Sequence, residues 1–223
     1  MDMELAVFIV GFDEKLVLRA GFRVGLQPSD TALLVYSLSG SDYDKQRVSN
    51  AVNVIKNVFS SAGISVKELV LDGNNFGRDV SLLVVTLRNL RPKRLVVSLG
   101  SGMRYLGLVS LYASLIYREL VKNVELEVHV SREDGLYDVA LNLETVRLSV
   151  GRSELRVLCL IRSGVERDHV VKEAHDKMVK SPSTIYMLLQ RMVKRGLIQL
   201  KDNTVELTPL GEALHYAFCG EQD

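Results

Sequence analysis

The stretch Leu5-Ala6-Val7-Phe8-Ile9-Val10-Gly11-Phe12-Asp13-Glu14 decides the fold. An apolar run that turns β-branched, stops at a glycine and is followed by two acids predicts a strand, a tight turn and the start of a helix. Similar short runs recur at Thr31–Tyr36, Val66–Leu71, Arg94–Ser98 and Glu125–Val130, each bounded by Gly, Pro, Asp, Ser or Asn. Stretches with apolar residues at helical spacing lie between them. In one, Val48, Val52, Ile55, Val58 and Phe59 precede the Gly63 stop; others are Val80–Leu90, ended by Pro92, and Arg104–Leu120. Strand and helix alternating through five strands is the pattern of a parallel sheet covered on both faces, because right-handed crossovers put the helices there. The expected fold class is α/β, with a Rossmann-like doubly wound parallel sheet.

Composition agrees with a folded protein. Of 223 residues, 47% are hydrophobic and 25% charged, which permits a sizeable core. At roughly 100–200 residues per domain, two modest domains are expected. A formal net charge of +1 gives no global basic field, so any nucleic-acid surface is local. Cys159 and Cys219 form neither a CxxC nor a Cys/His cluster, which supports no disulfide framework and no structural zinc; Cys159 reads as a core residue. His129, His169, His175 and His215 are scattered, so no metal site is expected. The opening apolar run is too short to span a membrane and lacks a cationic start, and the expected compartment is the cytoplasm.

Two loops carry the first candidate site. Gly11, Phe12 and Asp13 follow strand one, where glycine lets a ligand approach the backbone and helix-start amides attract an anion. The plainer alternative is a strand-to-helix turn with Asp13 as N-cap. Ser98-Leu99-Gly100-Ser101-Gly102-Met103-Arg104 follows strand four and offers amides, hydroxyls and a guanidinium to a phosphate. Neither a Walker A loop nor the G-x-G-x-x-G dinucleotide pattern is present, and no G-x-S-x-G elbow appears. In a 3-2-1-4-5 strand order, strands one and four are neighbours where the order reverses, so both loops are expected to meet at the switch-point crevice. Ser39, Gly40 and Ser41, after strand two, form an outer wall or a solvated loop. Asn74, Asn75 and Arg78 rank below them.

After two alternating runs, Leu136–Leu143 and Thr145–Val150, the pattern changes at Gly151. Helical segments at Ser153–Arg162, Asp168–Lys180 and Ser183–Arg195 precede a strand-turn-strand and a final helix, Leu210–Phe218. This spells a winged helix-turn-helix. Between Lys172 and Arg195 six Lys/Arg face two Asp/Glu, the local excess that phosphate contacts require. Lys180, Ser183, Thr184, Tyr186, Arg191, Lys194, Arg195 and Lys201 are the candidate DNA contacts; the alternative is a helical interaction or dimerisation module. The expected division is a sensing domain over 1–143, a linker or hairpin end over 144–151, and a DNA-binding domain over 152–223.

With these residues quoted, the chain resembles an archaeal CRISPR-associated transcriptional regulator in which a CARF sensor domain precedes a winged helix. Gly11-Phe12-Asp13-Glu14 and Gly102-Met103-Arg104 look like that family's two sensor motifs, and Ser183–Leu207 like its DNA-binding part. The hydroxyl residue often found two places before the second motif's glycine is Gly100 here. The resemblance implies a homodimer whose sensor domains share one cyclic oligoadenylate, the tetra-adenylate first, and whose winged helices meet a palindromic double-stranded promoter site. It implies no cofactor beyond that signalling ligand and no metal. Gly11, Phe12, Asp13, Gly100, Ser101, Gly102, Met103 and Arg104 are expected to line the ligand site. No catalytic residue is assigned. The competing readings are a metal-independent ring nuclease, with Ser98, Ser101 and Arg104 as first suspects, and a nucleotide-sensing adaptor that contacts another protein.

Overall fold

The computed structural model describes residues 4–100, 102–121, 123–131, 138–143, 150–162 and 164–219. The chain divides into two compact units, one of Met1–Asn75 with Leu82–Leu148 and one of Phe76–Ser81 with Ser149–Asp223.

In the first unit β1 (Glu4–Ile9), β2 (Thr31–Tyr36), β3 (Ser65–Val70), β4 (Arg94–Ser98), β5 (Glu125–Ser131) and β6 (Asp138–Asn142) form one sheet. Its order is β3-β2-β1-β4-β5-β6, and only β6 runs antiparallel to its neighbour. The Rossmann-like α/β expectation holds, including the reversal between β1 and β4. Helices α1 (Glu14–Val24), α2 (Asp42–Ser61), α3 (Phe76–Leu90, of which only the part from Leu82 on belongs to this unit) and α4 (Arg104–Leu120) connect the strands. Alternation along β1 divides its side chains between two layers. Ala6, Phe8 and Val10 pack with Val17 and Ala20 of α1 and with Val52, Ile55 and Phe59 of α2. Leu5, Val7 and Ile9, all fully buried, point to the other layer, where α4 packs on β1, β4 and β5.

Polar residues fix the sheet's register and guard its edge. Arg94 spans three strands, with Nη1 2.7 Å from Glu4 Oε2 and Nη2 3.0 Å from Glu127 Oε2. Burial alone would push the Glu127 carboxyl up, but its hydrogen bonds to Arg94 and His129 hold it below its ordinary value. The edge strand β3 keeps Lys67 and Glu68 exposed, and such charges discourage pairing with another chain.

In the second unit α5 (Arg152–Leu158), α6 (Arg167–Met178), α7 (Pro182–Lys194) and α8 (Pro209–Cys219) surround a three-stranded antiparallel sheet of order β7-β9-β8, made of Val165–Glu166, Thr204–Leu207 and Ile198–Lys201. Ile185, Leu188, Leu189 and Met192 form the buried stripe of α7, as their spacing predicts. Ser181 caps that helix by accepting from the Thr184 amide, with Pro182 at its first position.

Three expectations change. Cys159 and Cys219 are joined in a disulfide, Cα atoms 5.5 Å apart across 60 residues of sequence. The spacing rules used for the sequence could not register it, because packing of α5 against α8 creates the proximity. Helix α3 begins at Phe76 rather than Val80, so Arg78 lies within a helix and not in a turn. The two-residue strand β7 has no counterpart in the sequence reading. The expected strand over Thr145–Val150 falls, apart from Val150, outside the described residues.

Candidate functional site

The site is built where the β1–α1 and β4–α4 loops touch. A Cβ placed on Gly11 would sit 2.7 Å from the Gly102 Cα, and one on Gly102 would sit 2.5 Å from Ile9 Cγ2. Gly102 also has φ +76°, a left-handed conformation that favours glycine. Neither position has room for a side chain, so the loops pass backbone against backbone at the carboxyl ends of neighbouring strands.

Beside this crossing lies a pocket of about 670 Å³ lined by Asp13 and Leu16 of α1, Leu99, Gly100, Gly102 and Met103 of the second loop, Arg104, Gly107, Leu108 and Leu111 of α4, and Ser131 of β5. The structure therefore brings together Asp13, Gly100, Gly102, Met103 and Arg104 from the sequence candidates. Gly11 forms the crossing behind them. Ser101 falls outside the described residues. Leu16, Leu99, Gly107, Leu108, Leu111 and Ser131 were missed. The spacing of Arg104, Gly107, Leu108 and Leu111 along one helix face was the available signal.

The electrostatics favour an anion at α4. Helix α1 is capped by the Asp13 carboxylate, which accepts from the Lys15 amide at 2.9 Å, and α2 by a reciprocal Ser41–Asp44 box. Asp13 therefore fulfils the plainer N-cap reading while still facing the pocket. No side chain caps α4, its first turn holds no acid, and its first residue is the exposed Arg104. A helix start without a side-chain cap, carrying a guanidinium, is an anion-attracting end.

The remaining sensor candidates lie elsewhere. Phe12 turns to Arg47, whose guanidinium carbon is 4.4 Å from the ring centroid. Ser39 Oγ is 3.0 Å from Ser37 Oγ, Ser41 is occupied as the α2 cap, and neither they nor Gly40 line the pocket. Ser98 is buried, its hydroxyl without a hydrogen-bond partner among the described residues, and does not line the pocket either. A second pocket, about 920 Å³, lies among Arg88, Arg91, Pro92, Lys93, Tyr117 and Asn123 at the opposite end of the strands. Although larger and lined by three cations, it lies at the strands' amino ends, whereas ligands of open α/β sheets bind at the carboxyl ends. Among the described residues no group of three or more His, Cys, Asp or Glu is arranged to hold a metal ion.

In the second unit, α6 and α7 are joined by a short turn that carries Lys180. Ser183 is exposed; its Oγ lies 3.0 Å from Ser181 Oγ, and Thr184 Oγ1 lies 2.8 Å from it. Tyr186 donates its hydroxyl to Asp168 Oδ1 at 2.8 Å beneath the Arg167 guanidinium. Three candidate cations already have acidic partners. Arg195 Nη1 and Arg191 Nε approach the buried Glu154 at 2.7 Å and 3.5 Å, and Lys201 Nζ lies 2.8 Å from Glu206. Lys180 and Lys194 form no ion pair among the described residues. Glu154 was not a sequence candidate, since nothing in the order of residues marks it as buried.

The family model described as the Csa3 CRISPR-associated Rossmann-like domain matches residues 4–143, more than half of the chain. The chain belongs to this family. The match covers both glycine loops and the whole six-stranded sheet of the Csa3-type domain. Among solved structures, Can2 from Sulfobacillus thermosulfidooxidans in complex with cyclic tetra-adenylate is similar at a TM-score of 0.44 and 8% identity, covering 96% of this chain. The chain matches 63% of the length of that protein. A comparison with curated proteins finds no match. Among the described residues no helix is long and apolar enough to cross a membrane.

Proposed function

We propose that the protein is a cytoplasmic, dimeric CRISPR-associated sensor that binds a cyclic oligoadenylate through its Csa3-type domain and double-stranded DNA through its second unit, thereby regulating transcription. The observation that carries this reading is the pocket beside the Gly11–Gly102 crossing, with the uncapped α4 amides and Arg104 at its wall. Such a wall suits a phosphodiester, and the neighbouring Leu108, Leu111 and Leu99 suit the faces of riboses and bases.

The dimer follows from size and exposure. About 670 Å³ lies within the ~300–1,000 Å³ that holds one drug-sized ligand. A ring of four nucleotides exceeds it, and a twofold axis supplies two identical sets of donors from one sequence. Leu108 and Met103, 54% and 43% exposed, give the pocket rim an apolar surface for a second copy. The cyclic ring therefore sits between two copies of α4, one ring to two chains.

For the second unit we read α5, β7, α6, α7, β8 and β9 as a winged helix whose α7 enters the major groove. Lys180, Ser183, Thr184 and Lys194 are its most available contacts, Lys201 exchanges Glu206 for phosphate, and Arg191 and Arg195 reach phosphate while keeping Glu154 paired. Ring cleavage is the weaker reading, since Ser98 is buried away from the pocket.

Isothermal titration of the full chain with cyclic tetra-adenylate tests the sensor, with one ring bound per two chains expected. An absence of binding at micromolar protein overturns it. Fluorescence anisotropy with promoter DNA tests the regulator. Affinity is expected to fall steeply as salt rises, and a salt-independent or absent signal overturns the DNA assignment.

A further inference from the structure

Two aromatic rings and one cation form a cluster that the pocket does not absorb. Phe12, in the β1–α1 loop, and Tyr43, in the first turn of α2, both face the guanidinium of Arg47, at 4.4 Å and 5.7 Å from their centroids. The rings are 49% and 69% exposed. Packing therefore does not explain them, because each leaves about half or more of its surface in water. Arg47 is exposed too, and among the described residues it makes no ion pair. The acids nearest in sequence are engaged elsewhere: Asp44 closes the α2 cap with Ser41, and Asp42 takes Lys45 at 3.0 Å.

A cation over two exposed rings, with no acidic partner among the described residues, offers two things at once. Aromatic and guanidinium faces stack on a nucleobase, and the charge compensates the attached phosphate. Few other ligand classes use both. The position also fits, since Phe12 directly precedes pocket-lining Asp13, with the two side chains diverging from one loop.

We propose that Phe12, Tyr43 and Arg47 are a nucleobase-stacking platform that receives an adenine of the cyclic oligoadenylate while the α4 end holds its phosphates; this rests on the sensor reading above. A cyclic ribose-phosphate ring directs its bases outward from the phosphates, so a base-binding surface belongs beside the anion-binding wall and not within it.

The test is titration of the full chain with cyclic tetra-adenylate, for wild type, Tyr43→Ala, Tyr43→Phe and Arg47→Ala. All three substitutions are at exposed positions, and thermal unfolding confirms that each variant folds. Tyr43→Ala and Arg47→Ala are each expected to weaken binding roughly 5- to 150-fold, the range of one lost base–aromatic stack. Tyr43→Phe restores the ring and recovers the affinity lost in Tyr43→Ala. The chain has no tryptophan, so tyrosine emission gives a second readout. Ligand quenches it in wild type, and the quench is smaller in Tyr43→Phe. If wild type binds and both alanine variants bind equally well, the platform is overturned and the sensor reading stands. If wild type fails to bind, the sensor reading falls first and the platform falls with it.

Discussion

At the scale of single residues, Arg104 and Gly102 divide binding from architecture. Arg104 is exposed at the start of α4 and makes no ion pair among the described residues, so Arg104→Ala is expected to leave the unfolding temperature unchanged. One lost charge-assisted hydrogen bond of about 1.5–3 kcal/mol lowers ligand affinity about 10- to 150-fold, which calorimetry reads. Gly102→Ala is expected to do more. Its left-handed φ costs a non-glycine residue about 1–2 kcal/mol before the new methyl meets Ile9, so melting temperature and ligand affinity both fall. Tyr36 provides a pH signature of the fold. Burial, then its 2.6 Å hydrogen bond to Glu68, pushes its phenol from 10.0 up to about 12. A raised phenol contributes stability that is complete below pH 10 and is lost as pH climbs through 12. Glu68, held low by Lys56 and Tyr36, contributes above its ordinary 4.5 and loses this as pH falls. Denaturant midpoints are expected to drop between pH 10 and 12 in wild type and less steeply in Tyr36→Phe. At this scale the glycine loops were legible, because glycine next to serine before a helix has few structural uses. Arg47 was not, since its aromatic partners lie on another loop and one turn away along α2.

At the scale of elements, the disulfide and Glu154 hold the second unit from its two ends. The bond from the end of α5 to the end of α8 closes a loop across 60 residues, which in the chain-entropy account stabilises by about 4 kcal/mol. Reductant, or Cys219→Ser, is expected to lower the melting temperature of this unit while the parallel sheet melts as before. Calorimetry with and without reductant checks it. Glu154 Oε2 accepts from the Gly151 amide at 2.7 Å and from Arg195 Nη1 at 2.7 Å, linking the start of α5 to the last residues of α7. Glu154→Ala is expected to cost about 1.5–3 kcal/mol, measured by denaturant unfolding, with the upper end reduced because the two arginines are part-exposed. Most helices and strands were legible from periodicity, and so was the buried stripe of α7, but the two-residue β7 is too short to carry a period. The disulfide and the Glu154 link were not, because both join residues that only tertiary packing brings together.

At the scale of the whole molecule, the exposed apolar rim of α4 predicts assembly. Sedimentation is expected to report a species of twice 24.9 kDa. Leu108→Glu, which places a charge on a surface already exposed in the single chain, is expected to yield folded monomer that no longer binds one ring per two chains. Strand order explains why so much of this level was readable: once five alternating runs are recognised, right-handed crossovers leave few topologies, and the reversal point names the loops that meet. The order also has a kinetic side. β1 lies at the centre of the sheet, yet its β4 flank is encoded some 90 residues later, the separation that Arg94 and Glu4 bridge. A chain leaving the ribosome thus makes half of its pocket first and keeps one edge of its innermost strand bare until the second half emerges, so synthesis passes through a stage in which that edge needs shelter.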